Sequence, residues 1–145
     1  VVFVTYDAAV AFAEWAGKRL PTEYEWEIAA RSGGDRIFPW GDGTPSDGLA
    51  NYDYMVGHTT PVGSYEQGRT PDGVYDMAGN VWEYVEGRWR AYPWSGADDE
   101  TPASGQLVRG GSWMTAGGNI ASTYRNGAKS GVCAMVGFRC ARDSD

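Results

Sequence analysis

Apolar residues near the start of the chain recur at the spacing of one helix face. They follow the i, i+3, i+4, i+7 pattern and are Ala9, Phe12, Ala13 and Ala16. Thr5 can cap the first turn, and Gly17 can end the helix because glycine adopts the left-handed conformation at low cost. The pattern therefore predicts a first helix between Thr5 and Gly17.

A second helix is predicted after Pro21. Thr22 and Glu25 have the T-x-x-E spacing of a capping box, in which each side chain accepts a hydrogen bond from the other residue's backbone. Behind it lies an inward stripe of Trp26, Ala29 and Ala30, which ends at Gly33-Gly34.

The remaining chain predicts a long loop followed by short strands. Residues 38–75 are rich in Gly, Pro, Asp, Asn and Ser, and a loop of this length is usually functional or is held by an ion or by aromatic packing. Strand-like runs bounded by turn formers follow at residues 81–85, 107–108 and 136–141. Helices followed by strands predict an α+β fold with a small antiparallel sheet, in one domain of residues 1–145.

Charge and composition narrow the range of partners. The net charge is −7 and the longest basic run is Lys18-Arg19, so nucleic acid is not expected as a partner. No apolar run approaches the ~18 residues of a membrane span, which predicts a soluble chain without membrane insertion. The chain starts inside an apolar stretch without an initiator Met, so removal of an upstream leader would place it at the cell surface or outside the cell. The compartment stays open.

The two cysteines do not form a metal motif. Cys133 and Cys140 lack the repeated spacing of a zinc site and the density of a disulfide scaffold. Both lie near the last strand-like run, so buried thiols are favoured over a disulfide.

Six motifs occur in an order that resembles the formylglycine-generating enzymes and their sulfatase-modifying-factor relatives. The longest is KRLPTEYEWEIAAR at residues 18–31. The others are FPWG at 38–41, TPVG at 60–63, VYDMAGNVWE at 74–83, RGGSW at 109–113 and GFR at 137–139. The resemblance implies a C-type-lectin-like fold, with two helices packed on small antiparallel sheets and extensive ordered loops. The fold alone leaves the function open, because one scaffold supports unrelated activities.

Charged and aromatic residues within these motifs favour a structural frame over an aromatic binding site. Arg19, Glu23 and Glu27 can form an ion-pair network under the long loop. The aromatic residues expected to fill the core are Trp26, Trp40, Trp82 and Trp113.

The resemblance also specifies the residues that oxidation would need. In the family, two copper(I)-binding cysteines follow the Gly-Gly-Ser-aromatic motif, and Thr115 and Ile120 occupy their positions here. Neither side chain replaces a thiolate, so no copper is expected. The sulfoxide-synthase branch binds iron through several histidines, whereas this chain contains only His58 and would need ligands from another domain. The sequence therefore predicts a protein that is not an enzyme and has no catalytic residues.

A structural calcium ion is the cofactor that the resemblance leaves open. Four positions match family ligands of this hard cation, two through carboxylates and two through backbone carbonyls: Asp76, Glu83, Gly79 and Val81. The alternative is a metal-free turn in which Asp76 accepts backbone N–H groups and Asn80 is left-handed. A second family site would use Asn51 and the carbonyl of Tyr52, but the stretch that follows is shortened here.

The C-terminal segment resembles the variable proteins of diversity-generating retroelements. Their mutable region lies between a Gly-Gly-Ser-Trp-like strand and a terminal Gly-Phe-Arg, which corresponds here to residues 113–136. This segment predicts a ligand-binding surface anchored by Tyr124 and Met135, because small and aromatic side chains on a rigid scaffold adapt to many partners. The alternatives are a formylglycine-generating-type oxidase, and an inactive paralogue or regulatory module whose loop has drifted. The ligand, an unknown protein or surface molecule, would contact Met114, Thr115, Gly117, Gly118, Asn119, Ile120, Ser122, Tyr124, Asn126, Ala128, Lys129, Ser130, Val132, Cys133, Ala134 and Met135.

Overall fold

The two predicted helices are present in the computed structural model, which describes residues 1–89, 105–129 and 133–143. Helix α1 spans Tyr6–Trp15 and helix α2 spans Glu23–Arg31. Thr5 caps α1 by accepting a backbone N–H at 3.1 Å, and the capping box between Thr22 and Glu25 is complete at α2. Each cap satisfies backbone donors that would otherwise lack a partner, which fixes where the helix begins.

Helix α1 buries a narrower face than its apolar stripe predicts. Ala9 and Ala13 are fully buried, but Phe12 is half exposed and its ring packs edge-on against Phe138 with centroids 5.6 Å apart. Trp15 is 81% exposed. Ala9 and Ala13 pack with Trp82 and Tyr84 of the sheet, whereas Phe12 and Trp15 lie at the outer side of α1.

In the part of the chain that the structure describes, four strands form one mixed sheet. They are β1 (Trp82–Arg88), β2 (Gln106–Arg109), β3 (Arg125–Ala128) and β4 (Val136–Phe138), in the spatial order β3-β2-β1-β4. The pairs β1–β2 and β2–β3 are antiparallel, whereas β1–β4 is parallel. The prediction of an antiparallel sheet is therefore wrong for β4, which lies parallel to β1 on the side away from β2.

The alternation of side chains along the strands places α1 and α2 on opposite faces of the sheet. Trp82 and Tyr84 of β1 pack with the alanines of α1, while Val85 packs with Trp26 of α2. Successive residues of a strand point to opposite faces, so one strand supports both cores.

None of the helices in the described ranges is both long and apolar enough to cross a membrane. The cysteine prediction holds in one respect, since Cys133 and Cys140 are free thiols, but both are only half-buried.

Aromatic packing organises the long loop that precedes β1. Within residues 38–75 the regular structure is one 3₁₀ turn, Glu66–Gly68, as the composition predicts. Phe38 and Trp40 stack with ring centroids 5.1 Å apart. A third core cluster then joins the loop to the segment after β2, through Phe38, Ala50, Tyr52, Ala78 and Ile120.

Candidate functional site

A buried arginine holds the segment that follows β2. Arg109 is fully buried; its Nη1 donates to Glu23 at 2.7 Å and its Nη2 donates to Glu27 at 2.6 Å. The same Nη2 donates to the Ser122 carbonyl at 2.7 Å, and the guanidinium lies 5.3 Å from the ring centroid of Trp26. Charge-assisted hydrogen bonds of this kind are strong in a poorly solvated site. Arg109 therefore ties α2 to both ends of residues 110–122.

The sequence predicted Arg19 as the cation of this network, but Arg109 occupies that place in the structure. Arg19 lies at the surface, where it pairs with Glu25 at 2.7 Å and with Asp143 at 2.6 Å. Because Arg19 lies just before the N-terminus of α2, its side chain reaches the first turn of that helix and not the buried face. Arg125 of β3 joins Arg109 on Glu23, with its Nη2 2.9 Å from Oε2.

The segment between the buried ends, residues 113–119, is here called the display segment. It leaves the core through Gly111, whose φ is +78°, and a Cβ there would lie 2.6 Å from Cγ2 of Ile120. Thr115 Oγ1 accepts the N–H of Ser112 at 2.9 Å and so closes the first turn. The chain then passes through a 3₁₀ turn, Gly117–Ile120, and returns to the core. Both ends of the display segment are therefore fixed.

The structure divides the predicted contact residues into three groups. The exposed ones are Gly118, Asn119, Asn126 and Lys129. The partly exposed ones are Met114, Thr115, Gly117, Tyr124, Ala128, Cys133, Ala134 and Met135. Ile120 and Ser122 are fully buried, so the prediction that they contact a ligand is wrong: Ile120 fills the third core cluster, and the Ser122 carbonyl binds Arg109. Ser130 and Val132 lie outside the described residues.

The two expected anchors belong largely to the core. Tyr124 packs its ring against Trp82 with centroids 6.0 Å apart, and Tyr124 and Met135 both pack against the cluster under α1. Side chains held in this way fix the backbone of their segment and leave little surface for a partner. The part of the predicted ligand-binding surface that stays accessible to a partner is therefore the display segment together with Asn126 and Lys129.

A loop that sequence reasoning did not select lies beside the display segment. This Tyr54 loop, residues 52–58, is joined to it by two backbone hydrogen bonds, from the Asp53 N–H to the Thr115 carbonyl at 3.0 Å and from the Tyr54 N–H to the Trp113 carbonyl at 2.7 Å. The rings of Tyr54 and Trp113 meet edge to face at 5.6 Å. The sequence feature that could have indicated this loop is a run of three large apolar residues, Tyr54-Met55-Val56, within a stretch that is otherwise rich in polar turn formers.

One residue of the Tyr54 loop, Asp53, is acidic, and a second acidic residue, Asp47, precedes the loop. The pKa of Tyr52 is raised, first by burial and then by the nearby carboxylates of Asp53 and Asp47. The Tyr52 ring lies under the display segment, because a Cβ on Gly117 would be 3.0 Å from its Cε2. Asp53 is exposed and lies directly before the exposed Tyr54 in this loop.

The predicted calcium ligands form a different arrangement, here called the Arg139 cluster. Both carboxylate oxygens of Glu83 accept hydrogen bonds from Arg139, at 2.6 and 2.7 Å, and the indole N–H of Trp26 adds a third at 2.7 Å. Asp76 accepts the Gly63 N–H at 2.7 Å, and Asp76 has φ +57°. Burial is the main cause that raises the pKa of Asp76, in a cleft of about 400 Å³ shared with Glu83 and Arg139.

This arrangement does not fit a calcium ion at Asp76, Gly79, Val81 and Glu83. Calcium takes six to eight oxygens, and the Glu83 carboxylate is already occupied by a guanidinium and an indole. Asn80 has φ +60°, as the metal-free turn requires. At the second family position Asn51 Oδ1 is buried without a hydrogen-bond donor among the described residues, but the Tyr52 carbonyl already accepts the Met55 N–H. One free neutral oxygen does not make a calcium site.

The fold and the display segment define a lectin-like domain that combines a rigid α+β frame with an exposed, irregular surface. The chain belongs to the family described as the sulfatase-modifying factor enzyme 1-like domain, which matches residues 1–144. The family and the fold implied by the six sequence motifs are thereby confirmed.

Two groups of curated proteins illustrate the similarity. Hercynine oxygenase of Mycolicibacterium smegmatis is 38% identical over 143 residues, which covers 87% of this chain and 33% of that protein. The formylglycine-generating enzyme of Thermomonospora curvata is 37% identical over 169 residues, covering 99% of this chain and 55% of that enzyme. The chain thus spans between a third and about half of these relatives.

Solved structures extend the comparison to a variable protein. PvdO from Pseudomonas aeruginosa has a TM-score of 0.76 at 32% identity and covers 95% of this chain and 59% of its own. Treponema denticola variable protein 1 has a TM-score of 0.63 at 33% identity and covers 83% of this chain and 45% of its own.

The relatives overturn one prediction. The sequence predicted a protein that is not an enzyme, yet proteins named hercynine oxygenase and formylglycine-generating enzyme match most or all of this chain. The prediction is therefore wrong as a general statement. It was drawn from Thr115 and Ile120 at the copper-ligand positions and from the lone His58, which bear only on two metal-dependent reactions.

Proposed function

We propose that this domain recognises a ligand or partner through the display segment and the strand β3 beside it, in the manner of variable proteins. The observation that carries the proposal is an exposed, chemically mixed stretch between two fully buried ends. Arg109 and Ser112 lie on one side of it, and Ile120 and Ser122 on the other. A frame that is fixed at both ends can change its outer side chains without losing stability.

The glycines of the display segment support the same view. A Cβ on Gly118 would meet no atom within 4 Å, whereas a Cβ on Gly117 would press on the Tyr52 ring. Gly118 therefore accepts a side chain that points to solvent, and Gly117 keeps the segment close to its support. Met114, Asn119 and Gly118 together offer positions where side-chain chemistry can vary at little cost.

The proposal is tested with two libraries displayed on yeast and selected against the same target proteins. One library diversifies Met114, Gly118, Asn119, Asn126 and Lys129; the control library diversifies the exposed positions Phe12, Trp15, Tyr24, Ile28 and Arg88. We expect specific binders from the first library, with melting temperatures close to that of the parent. Binders that arise equally from both libraries, or general loss of folding in the first, would refute the proposal.

A sequencing experiment tests the finer statement that the segment is programmed to vary. In a diversity-generating retroelement, the codons for residues 113–136 have a second nearby copy that differs mainly at adenines. We expect such a copy beside the gene. A gene region without one would assign the segment to ordinary divergence and leave the binding experiment as the test of recognition.

A second candidate is that the domain is the substrate-binding part of a longer oxidising enzyme. It is favoured by the identity with hercynine oxygenases and formylglycine-generating enzymes. In that case the metal ligands must come from residues other than Thr115, Ile120 and a histidine pair, since His58 is the single histidine. Copper(I) titration with a cysteine-containing sulfatase peptide, followed by aldehyde detection, tests this candidate on the longest available chain.

A further inference from the structure

The Tyr54 loop exposes three consecutive apolar side chains. Tyr54 is 55% exposed, Met55 48% and Val56 42%. Exposed apolar residues that are scattered singly are ordinary, but contiguous ones mark interaction sites. These three are consecutive in the chain, and the ring of Trp113 extends the same surface onto the display segment.

The backbone of this loop is held in a strained form. Asp53 and Tyr54 are consecutive residues with φ of +48° and +60°, which is uncommon outside glycine. Residues held in such regions persist only where neighbouring contacts fix them. The hydrogen bonds to the Thr115 and Trp113 carbonyls provide that restraint. The Tyr54 ring is therefore presented in a fixed position before any partner arrives.

The two chain segments that form this surface contain no Lys or Arg. The chain carries no Lys or Arg between Ile37 and Gly68 or between Gly110 and Tyr124, while Asp42, Asp47 and Asp53 lie in the first of these stretches. Asp53 is exposed and directly precedes Tyr54, so its carboxylate lies on the loop that carries the apolar side chains. Complementary charge selects partners and speeds their encounter.

We infer that the Tyr54 loop and the display segment together bind a protein segment in which an Arg or Lys is flanked by apolar side chains. The inference rests on the proposed function and adds the chemistry of the partner. The apolar side chains of the partner cover Tyr54, Met55 and Trp113, and its cation pairs with Asp53. An aromatic ring next to a carboxylate favours Arg in particular, because a planar guanidinium stacks on a ring and binds a carboxylate at once.

A random peptide library displayed on phage tests the inference without assuming a sequence. The bait is the full chain, and a parallel selection uses the double variant Asp53→Asn/Tyr54→Asn. Asn tolerates the left-handed conformation, so the variant removes the charge and the ring while keeping the backbone. We expect the parent to enrich peptides that combine Arg or Lys with aliphatic or aromatic residues, and the variant not to enrich them.

Fluorescence anisotropy on one enriched peptide then assigns the contacts. Tyr54→Asn is expected to weaken binding about tenfold, as removal of one aromatic anchor does. Asp53→Asn is expected to weaken it less and to reduce its dependence on salt. The double variant Phe12→Ser/Trp15→Ser removes two exposed aromatic side chains from α1 and serves as the control for non-specific adhesion; it should bind as the parent does.

The outcomes separate this inference from the proposed function. Enriched peptides without basic residues, or peptides whose binding is unchanged by Tyr54→Asn, overturn the inference. If those peptides still lose binding on Asn119→Arg, the display segment recognises ligands and the proposed function stands. Peptides that are sensitive only to the α1 control variant would contradict both, and the absence of any enriched peptide overturns the inference alone.

Discussion

Replacement of Arg109 by Met measures how far one buried cation supports the frame. The side chain is fully buried and bonds two carboxylates and the Ser122 carbonyl. Removing one member of a buried pair costs about 3–5 kcal/mol because the remaining charge is left uncompensated. Here Glu23 keeps Arg125 and Glu27 keeps Arg31, so we expect a loss of about 3 kcal/mol, near the lower end.

The matched control is Arg19→Met. Arg19 also bonds two carboxylates, but at the surface, where water and salt screen the pairs, so its loss should be much smaller. Both free energies of unfolding are measured by urea denaturation followed by tryptophan fluorescence, with the slope of the transition checked for each variant. A loss of about 3 kcal/mol corresponds to a fall of roughly 10 °C in melting temperature for a chain of this size. Equal losses for the two variants would refute the argument from burial.

A double variant separates the charge from the packing. If uncompensated charge is the cause, Arg109→Met combined with Glu27→Gln should be more stable than Arg109→Met alone, because the partly buried carboxylate that loses its cation is then replaced by a neutral amide. If the loss comes from altered packing beside Trp26, the second change should not recover stability. The outcome decides whether charge compensation or packing beside Trp26 holds the ends of the display segment.

Three further results are expected. Arg19, together with the Thr22 N–H, lowers the pKa of Glu25 to about 2, so the stability that this carboxylate contributes is present above its ordinary pKa of 4.5 and is lost as the pH falls from there to about 2. The stability difference between the parent and Glu25→Gln should shrink over that window in acid denaturation, and a constant difference would contradict the assignment. Gly111→Ala should cost about 2–4 kcal/mol, since it adds strain at positive φ to a clash in the core, whereas Gly118→Ala should change stability by less than about 0.5 kcal/mol. Calcium in excess over EDTA should leave the melting temperature unchanged, because Arg139 and Trp26 already occupy the Glu83 carboxylate, and a clear rise would restore the metal site.

The local part of this fold could be predicted from the sequence. The capping box at Thr22 and Glu25, the cap at Thr5 and the turn glycine Gly17 act over three or four residues, so their spacing alone determines where helices begin and end. The ordered motifs likewise sufficed to indicate the family, because their combination spans nearly the whole chain. Strand β3 was missed because its sequence, Arg-Asn-Gly-Ala, has neither alternation nor β-branched residues.

What only the tertiary structure decided concerns residues that are distant in sequence. Arg19 and Arg109 are chemically identical, and nothing local indicates that the second enters the core to meet Glu23 across 86 positions. Ile120 and Asn119 are adjacent, yet one fills the core and the other faces solvent, because the backbone turns between them. The Tyr54 loop is positioned against the display segment partly by backbone hydrogen bonds, which carry no signature in the side-chain sequence. The sequence by itself therefore determined the helices, their caps and the family, whereas long-range packing determined which charges are buried and which residues form the surface.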